Sequence, residues 1–570
     1  MRHTPPETGA PHWFVCLHTS TKGLLHVARR LPPPAPHRPR RTTTGRPPRH
    51  AAERRPRNPG RPRARAPRAR KRPHRAPAPA NAPTEPSDTA PTPPPAGLAG
   101  GTHGPTALEP LLHTVLDALR TGSHARSGPL PAGGPKIVTD RLRTTLDPAL
   151  PEHGTGSHEA LRTLVHALAE GAADPADPHC AAHLHCPPLA VAVAADLAAT
   201  ALNPSMDSWD QAPAATALET GITRALAALV HPRSPQPDAL VTSGGTESNL
   251  VALLLARERA RAAGARTVQV VCGTNAHHSI HRAAWLLGLP TPVTVACHAG
   301  RVIPAALDRA LATTAGPALV IATAGTTDEG LIDPLPQLAR IATTYGAELH
   351  IDAAYGGPLL FSDTLRHRLD GIDNAISVTL DLHKLGWQPV AAGLLAVRDT
   401  TELEPLTHQT DYLNADDDTE AGLPDLLGRS IRTTRRPDAF KIAVTLRALG
   451  RTGLAQLVEH CVTSAEQLAA ITDRHPALRR RPGPIGISTV LLRPTAADEL
   501  AAIEGEEAGD AHVADVRRRL LTAGRAVIGR ARAQDTDGRV RLWLKATLLH
   551  PDTRTTDLEA LADTIAHTTP

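Results

Sequence analysis

The stretch SVTLDLHKLGWQP, Ser377 to Pro389, carries a lysine just past an apolar run. Its run of Val378, Leu380 and Leu382 predicts a strand, and Gly386 and Pro389 break the pattern after it. A lysine at a strand end, with its amine partly withdrawn from water, is poised to form an imine with a carbonyl compound. Taken alone, Lys384 reads better as a surface lysine, so the surroundings decide. The same kind of run recurs in DALVTS from Asp238, TVQVVCG from Thr267, ALVIATAG from Ala318, AELHIDAA from Ala347 and AGLLAV from Ala392. Helical patterns separate these runs, which predicts βα units and a mainly parallel sheet in an α/β fold. Ligands of open α/β sheets bind beyond the carboxyl ends of the strands.

Three further segments sit at such ends. TSGGTESNL, Thr242 to Leu250, leads into a helical pattern: Gly244 and Gly245 allow close backbone approach to an anion, and Thr246 and Ser248 add hydroxyls at a helix N-terminus. No Gly-Lys-Ser/Thr follows, so this is not a nucleotide P-loop. HIDAAYGG places Asp352 at the end of a buried run, where a carboxylate requires a cation or hydrogen bonds, and the small Ala354 leaves room for a flat ring. TNAHHSI offers His277, an imidazole able to stack on a pyridine ring or move protons. Each has a bland reading as a turn, a cap or an idle histidine. Together, on successive strands, they suit one cofactor, pyridoxal 5'-phosphate (PLP): phosphate at the Gly loop, ring face at His277, pyridinium at Asp352 and aldehyde at Lys384.

At this point the chain resembles the group II PLP-dependent amino acid decarboxylases, over about residues 105 to 560. The family's D/N-x-H-K motif reads Asp381-Leu382-His383-Lys384, its A/S-H-x-S motif reads AHHS at Ala276 to Ser279, and its GTT stretch puts Thr326 and Thr327 near the cofactor. KATLLHP resembles the family's closing strand. NPSMDSWDQAPAAT from Asn203 and HLHCPP from His183 look most like the diaminobutyrate and siderophore-diamine decarboxylases. The resemblance implies an aspartate-aminotransferase-like, fold type I architecture, with a mainly parallel seven-stranded sheet in a large domain and a small C-terminal α+β domain. It also implies a homodimer with active sites at its interface, and a mobile-loop tyrosine that returns a proton to the substrate carbon. THQTDYLNADDD makes Tyr412 that residue. Catalytic work then falls to Lys384, His277, Tyr412 and His383, and cofactor binding to Gly244, Gly245, Thr246, His277, Thr326, Asp352, Ala354, Asp381, His383 and Lys384. An aliphatic diamino acid such as L-2,4-diaminobutyrate is the favoured substrate, with Asp207 or Asp210 as partners for a distal ammonium. Ornithine, lysine, an aromatic amino acid or an aminotransferase reaction stay open. A cysteine desulfurase would need a nucleophilic cysteine near the loop of Tyr412, and none lies there.

Composition bounds the rest. A chain of 570 residues is too long for one compact domain. Residues 1–80 hold 20 Lys+Arg against 2 Asp+Glu, a net +18, which leaves residues 81–570 at −12 within the overall +6. The Pro/Arg/Ala tail cannot bury enough apolar surface to order itself and is expected to be disordered. Order begins near Leu108, where LEPLLHTVLDALRTG predicts a helix with Gly122 as its stop signal. Another helix is expected over about Val513 to Ile528, between the strand candidates ISTVLLRP and VRLWLKATLLH. A polyanion-binding protein acting through the tail is the rival of another class, and the acidic remainder makes nucleic acid an unfavoured partner. The expected division is a tail over 1–100, a helical segment over 101–185, a PLP-binding large domain over 186–430 and a small domain over 431–570. Six scattered cysteines fit a reducing cytoplasm, and no apolar run is long enough to span a membrane. His179, Cys180, His183, His185 and Cys186 are zinc-ligand types, but no second distant pair completes a site, so no metal is expected.

Overall fold

A computed structural model describes residues 97–407, 413 and 415–568. The expectations for the basic tail before residue 97 and for Tyr412 lie outside the described residues.

The larger sheet has seven strands, in spatial order Asp238–Thr242, Gly393–Val397, Ser377–Asp381, Glu348–Asp352, Ala318–Thr323, Gln269–Gly273 and Val293–Val295. Gly393–Val397 runs antiparallel to both neighbours, and the remaining pairs are parallel. Helices cover both faces, so the central strands are buried on each side, and this is why they read as near-continuous apolar runs. All six expected strands are present. The seventh, Val293–Val295, is three residues long between Pro292 and Ala296, too short to show a period.

A second, five-stranded sheet is ordered Cys180–Ala181, Val527–Gln534, Val540–Thr547, Thr489–Pro494 and Leu478–Arg480. Its first strand comes from far upstream and pairs in parallel with Val527 and Ile528. The helix Ala439–Arg474 joins the two cores. Ala439, Ile442, Leu454 and Val458 pack beneath the large sheet, and Ala465, Leu468 and Ile471 pack beneath the small one. Aromatic residues are scarce, so Ala, Leu, Val and Ile make up most of the buried core.

Two helix limits differ from expectation. Gly122 does not stop the first helix, which runs Gly104–Arg126. A Cβ on Gly122 would lie 2.5 Å from the His166 carbonyl oxygen, so the glycine serves close helix packing and not termination. The helix expected over Val513 to Ile528 runs Glu506–Thr522 instead. Gly524, at φ +67, turns the chain, and Val527 begins a strand that pairs with Val540–Thr547.

Two buried histidines give the fold a pH limit. His231 and His350 are at most 1% exposed, and burial pushes both down to about 4 from 6.5. Below 6.5 the unfolded chain takes up protons that the fold refuses, so stability is complete above that pH and is lost toward 4. Each group contributes at most roughly 3 kcal/mol to that loss. Urea melts should give a midpoint at about pH 5 well below that at about pH 7.5, and His231→Leu should recover part of the gap. An unchanged midpoint across this range would contradict the reading.

Candidate active site

The carboxyl ends of the large sheet's strands open onto a cavity of about 370 Å³, and the glycine, histidine, aspartate and lysine segments meet there. Gly244, Gly245 and Thr246 line one wall, at the start of the helix Gly245–Ala262. A Cβ on Gly245 would lie 3.0 Å from the Ala354 Cβ and 3.2 Å from Asp381 Oδ2. Only a glycine lets helix and strand ends approach this closely, which leaves backbone N–H groups and the positive helix end facing the cavity.

Lys384 also lines the cavity, and its Nζ lies 2.8 Å from Asp381 Oδ2. The second oxygen of Asp381, a residue 1% exposed, has no hydrogen-bond partner among the described residues. His383 Nδ1 accepts from the Ala392 backbone N–H at 3.4 Å, which puts its ring proton on Nε2, 3.7 Å from Asp381 Oδ2. Burial lowers the His383 pKa, with Asp381 opposing. Across the cavity Asp352 is 6% exposed: Oδ1 accepts from the Ala354 N–H at 3.1 Å and Oδ2 from Asn249 Nδ2 at 2.8 Å. Half-buried His277 lines the same space, its pKa lowered chiefly by burial while Asp352 pulls the other way.

The structure thus brings together Gly244, Gly245, Thr246, His277, Asp352, Ala354, Asp381, His383 and Lys384. It separates others. The Thr326 hydroxyl accepts from the Leu331 N–H at 3.0 Å inside a turn, and its neighbour Thr327 lines the cavity instead. Thr326 faces an adjoining cleft of about 640 Å³, which shares His277 and Thr327 with the cavity. The Ser248 hydroxyl, expected at the anion loop, turns into the core and lies 2.7 Å from that of Thr242. Asp207 and Asp210 accept from Gln211 and Ser208, at 2.9 and 2.6 Å, and do not line the cavity. Leu184 of the HLHCPP segment does line it, and Cys186 Sγ donates to the His383 carbonyl at 3.2 Å. Among the described residues, no three His, Cys, Asp or Glu side chains gather as metal ligands.

Sequence reasoning missed Asn249, His350, Tyr355 and Gly325. Asn249 sits one helical turn beyond Gly245, on the face turned toward the strand ends, and that i, i+4 spacing was the available signal. His350, two residues before Asp352, points to the same side of the strand.

These residues fit PLP. The glycine wall and helix start suit a phosphate, the flat space beside Ala354 suits a ring, Asp352 suits a protonated ring nitrogen, and Lys384 is the amine for the aldehyde. The unpartnered Asp381 oxygen beside the glycine wall marks polar capacity that the described side chains leave unmet.

Comparison with known proteins gives the same answer. Residues 140–477 match the pyridoxal-dependent decarboxylase conserved domain. The chain is 38% identical over 470 residues to the L-2,4-diaminobutyrate decarboxylase of Rhizobium meliloti (strain 1021), covering 81% of this chain and 91% of that one. It is 34% identical over 355 residues to the enzyme of the same name from Acinetobacter baumannii, covering 58% and 69%. Among solved structures it is similar to the glutamate decarboxylase domain of diaminobutyrate-pyruvate transaminase and L-2,4-diaminobutyrate decarboxylase from Vibrio parahaemolyticus. That likeness has a TM-score of 0.70 at 28% identity, over 82% of this chain and 97% of that one. The chain belongs to the pyridoxal-dependent decarboxylase family and is a PLP-dependent carboxy-lyase of amino acids.

Proposed function

We propose that this enzyme converts L-2,4-diaminobutyrate to its diamine and CO₂, with Lys384, Asp352 and His277 as the central residues. The observation that carries the reading is the convergence of those three side chains on one cavity beside the Gly244–Gly245 wall. Bound PLP supplies the electron sink for the pair released when the bond from Cα to the carboxylate breaks. The protein's part is positional and protonic. Lys384 would supply the amine that holds the cofactor. Asp352 would set its negative charge against the ring nitrogen, and His277 would cover the ring face. Tyr412 returns a proton to the substrate carbon. The substrate choice is supported by the two diaminobutyrate decarboxylases among the relatives. The adjoining cleft adds Asp328 and Glu329, and Glu329 is already paired with Arg481 at 2.8 Å. Asp328 is then the carboxylate available to a second ammonium.

The test is release of labelled CO₂ from a panel of carboxyl-labelled amino acids. Diaminobutyrate should turn over at least about tenfold more efficiently, in kcat/KM, than ornithine, lysine or an aromatic amino acid, a margin of about 1.4 kcal/mol. Equal or better turnover of any of these would replace the substrate. Tyr412→Phe should keep PLP bound and lower CO₂ release by about 10²- to 10³-fold, the usual worth of a positioned proton donor. Unchanged turnover would remove Tyr412 from the scheme.

We also read the enzyme as a cytoplasmic homodimer. The five cysteines among the described residues are all free, as suits a reducing compartment. Leu116, Leu119 and Leu168, on the paired helices Gly104–Arg126 and Ser157–Gly171, stay exposed, an apolar surface suited to a second copy. Light scattering should return twice the chain mass.

A further inference from the structure

Behind Asp352 lies a buried polar chain whose donors and acceptors can be assigned one by one. An ionised carboxylate only accepts, so the amide atom facing Asp352 Oδ2 at 2.8 Å is Asn249 Nδ2. Its second hydrogen goes to Ser279 Oγ at 2.9 Å. Asn249 Oδ1 must then accept: the Thr379 hydroxyl donates at 2.9 Å, and His350 Nε2 lies at 3.0 Å. The His350 proton is therefore on Nε2, and its Nδ1 accepts from the Ser377 hydroxyl at 2.8 Å. At the far end Ser279 Oγ lies 2.8 Å from His277 Nδ1, and the Ser279 backbone N–H donates to that same nitrogen at 3.3 Å. A backbone N–H can only donate, so His277 Nδ1 is an acceptor and the ring proton sits on Nε2. Asn249, Ser279, His350, Ser377 and Thr379 are all 4% exposed or less, so water cannot replace these bonds. Every donor points the same way, from Ser377 through His350, Asn249 and Ser279 to His277.

We infer that Asn249 and His350 are positioning residues whose single hydrogen-bond chain orients both the carboxylate of Asp352 and, through the Ser279 hydroxyl, the ring of His277. The inference rests on the roles proposed above for Asp352 and His277. One amide controls two walls of the cofactor site, and His350 decides which way round that amide stands. If His350 were replaced by an apolar group, Asn249 would lose one of the bonds that orient it. Asp352 and the Ser279 hydroxyl that faces His277 would then lose their common donor together. A purely structural polar cluster would show no such joint dependence.

The test is PLP affinity of the apoprotein, followed by fluorescence quenching, with melting curves to confirm that each variant folds. Asn249→Asp keeps the size of the side chain but removes both donors and sets a second carboxylate against Asp352. Its PLP dissociation constant should rise about ten- to hundredfold at about pH 8, the worth of lost hydrogen bonds to a charged group. Much of that loss should return at about pH 6, where the two carboxylates can share a proton, while the wild type shows no such recovery. His350→Leu should weaken PLP binding in the same range without the pH recovery. His350→Gln, which keeps a donor toward Asn249, should restore affinity to within about threefold of wild type. Because His350→Leu and Asn249→Asp fail differently if packing is at fault, loss of folding in one leaves the other to decide. Wild-type affinity and pH profile in both variants would overturn the inference, provided borohydride still erases the cofactor absorbance of the wild type. If the wild type itself shows no borohydride-sensitive absorbance, the reading of the site fails first and takes this inference with it.

Discussion

Lys384→Ala should release no CO₂ above background from any amino acid, and the purified variant should lack the cofactor absorbance that borohydride erases. The physical reason is that no other amine lines the cavity among the described residues, so nothing there replaces the covalent tether. A second consequence comes from the ion pair. Lys384 Nζ is 2.8 Å from Asp381 Oδ2, and the other Asp381 oxygen has no partner among the described residues. Removing the amine leaves a carboxylate that is 1% exposed, with no other lysine or arginine paired to it among those residues. Uncompensated charge of this kind costs about 3–5 kcal/mol, so the Lys384→Ala apoprotein should melt several degrees below the wild-type apoprotein. Lys384→Arg separates the two effects, because a guanidinium keeps the charge pair but stays protonated and forms no imine. It should be inactive and yet near wild type in stability. Retained turnover in either variant would remove Lys384 from the chemistry.

Asp352→Asn should keep the fold and lose about 10²- to 10³-fold in kcat/KM, which corresponds to roughly 3–4 kcal/mol for leaving a buried cation without its counter-charge. The substitution is nearly isosteric, and the Ala354 and Asn249 contacts to the side chain at 3.1 and 2.8 Å test it in opposite ways. The new amide can keep one of those acceptor contacts, but its NH₂ group must face a donor at the other. PLP should therefore bind more weakly as well as react more slowly. Stopped-flow absorbance and CO₂ release measure the two losses separately. Turnover within about threefold of wild type would mean that Asp352 only caps the turn after its strand.

Most of the residues proposed from the chain line one cavity in the structure. Strand runs at Ala318, Ala347 and Ala375 end on residues that line the cavity, because a strand buried on both faces is apolar until it emerges at the sheet edge. Other features were hidden for stated reasons. Val293–Val295 is too short to have a period. Gly122 carries the composition of a stop signal, but its purpose, contact with the helix bearing His166 and Ala169, is a long-range fact. Thr326 and Thr327 look interchangeable in GTT, and only the turn closed by the Leu331 N–H decides which one faces the cavity. Asp207 and Asp210 are acidic residues in a suggestive motif that local hydrogen bonds have already claimed.

The amino-acid sequence alone determined the α/β class, the cofactor and the family, and named the candidate lysine, because periodicity and short motifs are properties of neighbouring residues. Tertiary structure alone decided which polar groups share a bond. Asn249, Ser279, His350 and Thr379 come from two helices and two strands separated by up to 130 positions, and nothing local marks them as one network. Buried hydrogen bonds depend on distances set when sheet and helices pack, and packing brings together residues that the linear chain keeps far apart.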